Sequence, residues 1–107
     1  MSPVYAINLF NVADEAEYLA YARRSPAEVA RHNGKVIALG EHAATVTGDL
    51  APRRVFILVE WASRADFDAY RDDPELADLH PHREQGTSDY LWLLYDKLTD
   101  LRGILGR

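Results

Sequence analysis

Apolar residues recur along this chain with two different periods, and the alternation between them predicts the element order. Val4–Val12 is rich in β-branched and aromatic residues and reads as a first strand, with Val4, Ala6, Asn8 and Phe10 on one face and Tyr5, Ile7, Leu9 and Asn11 on the other. From Asp14 to Arg24 the period changes. Tyr18, Tyr21 and Ala22 recur at helical spacings, and acids stand at the start, where they favour the helix dipole. Ser25-Pro26-Ala27-Glu28 reads as a fresh helix start, with serine at the cap, proline at the first helical position and glutamate closing a capping box. The helix is therefore expected to break or kink near Pro26 and to end at His32-Asn33-Gly34, with Gly34 in the left-handed conformation and His32 bonding the last carbonyls.

Lys35–Thr47 predicts a second strand, in which His42 shares a side with Val36 and Val46 and Gly40 permits a bulge. A loop over 48–52 leads into Val55–Val59, which is apolar on both strand faces and ends in Glu60 and Trp61. Ser63–Arg71 follows as a helix capped by Ser63, with Phe67 and Tyr70 on one stripe. Asp72-Asp73-Pro74 ends it. One more turn is expected over Pro74–Leu79, with Pro81 as its stop. Tyr90–Leu98 is the last strand, and residues 98–107 form an arm in which Leu98, Leu101, Ile104 and Leu105 keep a loosely helical spacing.

The order βαββαβ predicts an α+β protein of the ferredoxin-like plan, a single domain over 1–107 whose four-stranded antiparallel sheet carries two helices on one face. Two helices cover only that face, yet strands one, three and four are apolar on both. A second copy of the sheet is the simplest cover, so a homodimer through the sheet faces is expected.

Composition narrows the partners. With 48% hydrophobic and 27% charged residues in 107, the chain reads as an ordinary globular domain. Its 17 acids against 12 bases give a net charge of -5, which disfavours binding to nucleic acid by counterion release. There is no cysteine, hence no disulfide, thiolate nucleophile or cysteine-ligated metal. The longest apolar runs, Val55–Val59 and Tyr90–Tyr95, are too short for a membrane span, and no signal-peptide pattern opens the chain, so a cytoplasmic location is expected.

His80-Pro81-His82-Arg83 is the densest polar cluster. Two imidazoles and a guanidinium there suit an anionic oxygen or proton transfer near neutral pH, or else a solvated loop in which Arg83 pairs with a surface acid. His80, His82 and His42 match no established ligand spacing, so no metal site is expected. His42 points into an enclosed space if the second strand runs regularly. Glu60 is expected either to pair with Arg83 or Arg54 or to act as a base. Trp61, Tyr70, Tyr21 and Phe67 form either an aromatic wall for a flat ligand or simply core. Asn8 is an inward amide that orients a substrate carbonyl or satisfies neighbouring backbone.

Tyr18-x-x-Tyr21, Pro26, His32-Asn33-Gly34-Lys35, Gly40, Gly48, the run Val55–Glu60 with an aromatic after it, and Arg83 together resemble a small family of mostly unknown function in the dimeric α+β-barrel superfamily, over about Val4 to Leu98. Asn33 where that family usually has glycine, Trp61-Ala62-Ser63 for Phe-Pro-Ser, and Asp73-Pro74-Glu75-Leu76 without its tyrosine are departures. The plan is more distantly similar to cofactor-free antibiotic-biosynthesis monooxygenases, polyketide cyclases, muconolactone isomerase and chlorite dismutase-like haem proteins. The resemblance implies a ligand cleft between helices and sheet and an aromatic or polyketide-like metabolite. The first reading is a cofactor-independent monooxygenase, cyclase or isomerase. There, a histidine or Glu60 takes a proton, Arg83 and a histidine hold the enolate, and Trp61 and Tyr70 stack on the ring. In its oxygenase form the substrate carbanion itself reduces dioxygen. The alternatives are a non-catalytic dimer that binds a metabolite, and a haem or metal protein using His42, His80 or His82.

Overall fold

The computed structural model describes residues 2–106. Four strands, β1 (Val4–Val12), β2 (Gly34–Glu41), β3 (Val55–Trp61) and β4 (Thr87–Asp96), form one antiparallel sheet in the order β2-β3-β1-β4. Helices α1 (Glu15–Arg31), α2 (Arg64–Asp72) and α3 (His80–Gly86) and a 3-10 turn (Pro74–Leu76) complete the chain. This is the ferredoxin-like α+β arrangement.

Alternation along β1 decides which face the helices take. Val4, Ala6, Asn8 and Phe10 are buried, and their register partners Trp61, Val59, Ile57 and Val55 on β3 lie on the same side. Val29 of α1, Phe67 and Tyr70 of α2, and Leu76 and Leu79 close the core over them. Tyr5, Ile7 and Leu9, opposite Glu60, Leu58 and Phe56, lie on the other face and are only half-buried.

Local chemistry fixes the helix ends. Asp14 accepts the Glu17 amide at 3.1 Å and Ser63 the Asp66 amide at 3.1 Å, so both long helices begin on a side-chain cap. His32 caps the end of α1 as expected, with Nδ1 at 2.8 Å from the Glu28 carbonyl oxygen, and its Nε2 also lies 2.9 Å from Asp73 Oδ2. The left-handed residue is Asn33, at φ 65°, not Gly34. Gly34 answers a different need: a Cβ there would lie 2.6 Å from Val29 Cγ1 and 2.7 Å from Trp61 Cζ3, so only hydrogen fits.

Several expectations are corrected. Helix α1 runs unbroken through Pro26, whose fixed φ suits a helix even though it gives no N–H to the Ala22 carbonyl. The expected capping glutamate, Glu28, instead pairs with Arg31 at 2.6 Å. Strand β2 stops at Glu41 rather than Thr47, because β3 begins at its partner Val55 and Pro52 has no N–H to extend the ladder. Pro81 does not end a helix; it lies in the first turn of α3, where its missing N–H costs nothing. The tail after β4 forms turns rather than a helix, with Leu98, Leu101, Ile104 and Leu105 each about half exposed or more; Arg107 lies outside the described residues. Strand β4 itself starts three residues earlier than Tyr90.

Gly86, where α3 meets β4, touches the backbone of α1: a Cβ there would be 2.6 Å from the Tyr18 nitrogen. Backbone cannot swing aside as a side chain can, so Gly86→Ala is expected to destabilise by about 1–3 kcal/mol. Thermal melting followed by circular dichroism should show a fall of roughly 4 °C or more. Gly103→Ala, with nothing within 4 Å, should melt as wild type.

Candidate functional site

Between α1 and the β2–β3 side of the sheet lies a cleft of about 590 Å³. Tyr18, Tyr21, Ser25 and Pro26 form its α1 wall and Val36, Leu39, Ile57 and Val59 its sheet wall. The α1 wall exists because Tyr18, Tyr21 and Ser25 recur at helical spacings on one face. A smaller chamber of about 30 Å³, lined by Tyr21, Trp61, Tyr70 and Trp92, shares Asn8, Val29 and Val59 with the cleft.

Asn8 is the polar centre of the floor. Its Nδ2 donates to the Ile57 carbonyl at 3.2 Å, and its Oδ1 accepts from the Tyr90 hydroxyl, so the amide is held in one orientation by backbone and side chain together. The Tyr21 and Tyr70 hydroxyls lie 2.9 Å apart and share a hydrogen bond. Burial, reinforced by Tyr21, pushes the Tyr18 phenol up to about 12. Burial and Tyr21 likewise raise Tyr70 and Tyr90, while the nearby Arg83 guanidinium opposes the shift in all three. All three phenols are therefore neutral donors at physiological pH.

Arg83 reaches from α3 into this aromatic cluster. Its guanidinium lies 4.6 Å from the centroid of Trp92, 5.6 Å from Tyr90 and 5.9 Å from Tyr21, and it makes no ion pair among the described residues. Nη1 is buried without a hydrogen-bond partner. His80, one turn earlier, sets its ring 5.2 Å from that of Tyr70, and its Nε2 is also buried and unpartnered. Burial first, then Arg83, lower the His80 pKa, so its imidazole is neutral near pH 7.

The remaining sequence candidates separate. Trp61 is 1% exposed, and its Nε1 has no partner; with Tyr70 it lines the small chamber rather than the open cleft. Phe67 stands behind them, edge-on to Trp61 and Trp92 at 5.8 and 5.1 Å, as core. His82 pairs with Glu17 of α1 at 2.6 Å, outside the cleft lining. Glu60 lies on the open sheet face and pairs with Lys97 at 3.1 Å, not with Arg83 or Arg54; Arg54 holds Glu41 at 2.8 Å. His42 is exposed in the β2–β3 connection, bonded to Thr45 at 2.9 Å, and does not enter an enclosed space. Among the described residues no three histidine, cysteine or acidic side chains are grouped to hold a metal ion. Nor is any helix among them long and apolar enough to cross a membrane.

Sequence reasoning missed Tyr18, Tyr90 and Trp92 as parts of the cluster. Parity held the signal for two of them: Trp92 is the register partner of Asn8, and Tyr90, two residues before it, shares its face.

Fold and cleft together define a ferredoxin-like α+β protein with a small-molecule-sized pocket between helix and sheet. Residues 3–96 match a family described as a domain of unknown function, DUF1330, and the chain belongs to that family. Among solved structures it is similar to RPA0582, a protein of unknown function from Rhodopseudomonas palustris, at 22% identity and a TM-score of 0.82, over 92% of this chain and 85% of that one. It is also similar to SnoaB, a cofactor-independent oxygenase from Streptomyces nogalater, at 16% identity and a TM-score of 0.65, over 94% and 98% of the two chains. A dimeric ferredoxin-like protein of unknown function from Bacteroides fragilis matches at 15% identity and a TM-score of 0.57, over 91% and 98%. No curated protein matches the chain.

The raised phenols give an alkaline signature. A group whose folded pKa lies above its unfolded value of 10.0 contributes stability that is intact below that value and lost as pH rises through the folded one. Absorbance at the tyrosinate band should therefore show Tyr18, Tyr70 and Tyr90, three of the six tyrosines, still protonated at about pH 11 and ionising only with alkaline unfolding.

Proposed function

We propose that this domain pairs with a second copy through its open sheet face and that each cleft binds a flat aromatic or polyketide-like metabolite, stabilising its enolate in a cofactor-independent reaction. The observation that carries the reading is the Tyr21–Tyr70 hydroxyl pair, with Tyr21 on the wall of a cleft whose lining is mostly apolar. When a ring-activated C–H bond breaks, the proton passes to water at the cleft mouth and the electron pair moves onto the conjugated carbonyl oxygen. Tyr21 donates to that oxygen, and Tyr70 backs the Tyr21 hydroxyl, so the donor is in place before charge develops. Asn8, locked by Tyr90 and Ile57, fixes the floor against which the ring lies. The similarity to SnoaB, a cofactor-independent oxygenase, supports this class of chemistry.

The second reading, a non-catalytic metabolite-binding dimer, is favoured by one observation: the cleft lining contains no histidine and no carboxylate, so no strong base stands in it. Turnover of an anthrone-type substrate separates the two. Tyr21→Phe should lower kcat by about 10²–10³ with ligand binding retained, the size expected for one oxyanion donor. Tyr95→Phe, on the open face, should leave kcat unchanged. Full activity in Tyr21→Phe would remove Tyr21 as the donor, and ligand binding with no turnover in wild type would leave only the binding reading.

The dimer has its own support. Tyr5, Ile7, Leu9, Phe56, Leu58 and Leu91 are half-buried side by side, and Leu93 and Tyr95 are 39% and 55% exposed on the same face. The Bacteroides fragilis neighbour is described as dimeric. Light scattering at low micromolar concentration should give twice the chain mass of 12.1 kDa, and Leu58→Lys should halve it. A wild-type monomer would overturn the pairing.

A further inference from the structure

The interior beside the cleft holds hydrogen-bond donors without acceptors. Trp61 Nε1 and Arg83 Nη1 are buried and unpartnered, and both are donors only; the third such atom, His80 Nε2, donates in one tautomer. Every buried side-chain polar atom left without a partner among the described residues is one of these three. Two nearby acceptors already have donors: Asn8 Oδ1 has Tyr90, and Glu17 Oε2 has His82. An interior short of acceptors is completed by a group that only accepts.

The sign of the charge is fixed by Arg83. Of the arginines that reach an acid, Arg24, Arg31, Arg54, Arg64, Arg71 and Arg102 each hold a carboxylate within 4.0 Å, whereas Arg83 is held only by ring faces. A guanidinium partly withdrawn from water and left without an anion is costly, and the cost is recovered when an anion arrives. Its planar fork matches a carboxylate better than a single oxygen. Tyr90 stands between the cleft and the guanidinium: it lines the α1 cleft on one side and, with Arg83, Thr87 and Ser88, an outer depression of about 380 Å³ on the other. Glu84 and Asp89 also border that depression, and the Asp89 carboxylate is occupied by the Asn11 amide at 3.2 Å.

We infer that the ligand is an aromatic carboxylate, its ring in the α1–sheet cleft and its carboxylate received by the Arg83 guanidinium past the Tyr90 ring. This rests on the cleft being the ligand site and adds the charge of the ligand and the residue that reads it.

The test is calorimetric binding of a matched pair of probes, 2-naphthoate and 2-naphthamide, which share a ring and differ in charge. Wild type should prefer naphthoate by about tenfold or more, the size of one charge-assisted hydrogen bond. Arg83→Met should abolish that preference while leaving naphthamide affinity as it was. Arg83→Lys, which keeps the charge but loses the fork, should retain part of it, and this variant decides the matter if the methionine variant does not fold. Equal affinity for the two probes in wild type, or an undiminished preference in both variants, would overturn the carboxylate assignment while leaving the cleft as a binding site for uncharged rings. No binding of either probe would overturn the cleft reading together with the assignment.

Discussion

An indole must leave water entirely at the end of β3, and much of this fold is shaped by where it goes. Trp61 is 1% exposed, wedged among Phe67, Tyr70 and Val29, and it presses so closely on the start of β2 that residue 34 has no room for a side chain. Burying a ring of this size contributes on the order of 5 kcal/mol as an upper bound. One side chain thus ties together the end of α1, the first residue of β2 and the inner face of α2. The left-handed turn at Asn33 follows from the same demand, since the chain must reverse within two residues to bring Gly34 onto the ring. With these elements fixed, α1 is anchored firmly at its C-terminal end, and the cleft opens beside its middle turns, under Tyr18 to Pro26.

The polar groups around that cleft are sorted by element. Helix α1 brings Tyr18 and Tyr21, β1 brings Asn8, β4 brings Tyr90 and α3 brings His80 and Arg83. Phenols raised by burial and an imidazole lowered by burial leave a neutral lining with a single cation behind it. That arrangement favours developing or standing negative charge without stranding an acid in a low-dielectric space.

The fold was legible because Val55–Val59 is apolar on both faces and because strand and helix periods follow one another in the order βαββαβ, which leaves few topologies. The site was legible in part. Asn8 could be placed by strand parity, Tyr21 by helical spacing, and Arg83 by its place in the polar cluster His80-Pro81-His82-Arg83. Glu60 and His42 misled for a register reason: Glu60 sits on the parity opposite Trp61, and His42 lies beyond the last rung that β3 can offer, so its strand face ceases to mean anything. Pro26 and Pro81 misled because proline is compatible with a helix wherever its absent N–H is unneeded or its loss is tolerated, and only tertiary packing shows which case holds.

Pro26 leaves a lasting mark on the cleft it borders. At the Ala22–Pro26 step of α1 one backbone rung cannot form, and both residues line the cleft. The wall facing the sheet therefore lacks one rung where it borders the cleft. The sheet opposite has an irregularity of its own, a register shift between Val36 and Ala38 where β2 pairs with β3. Tyr21 stands one residue before Ala22, so the missing rung lies beside the residue that brings the hydroxyl pair to the cleft.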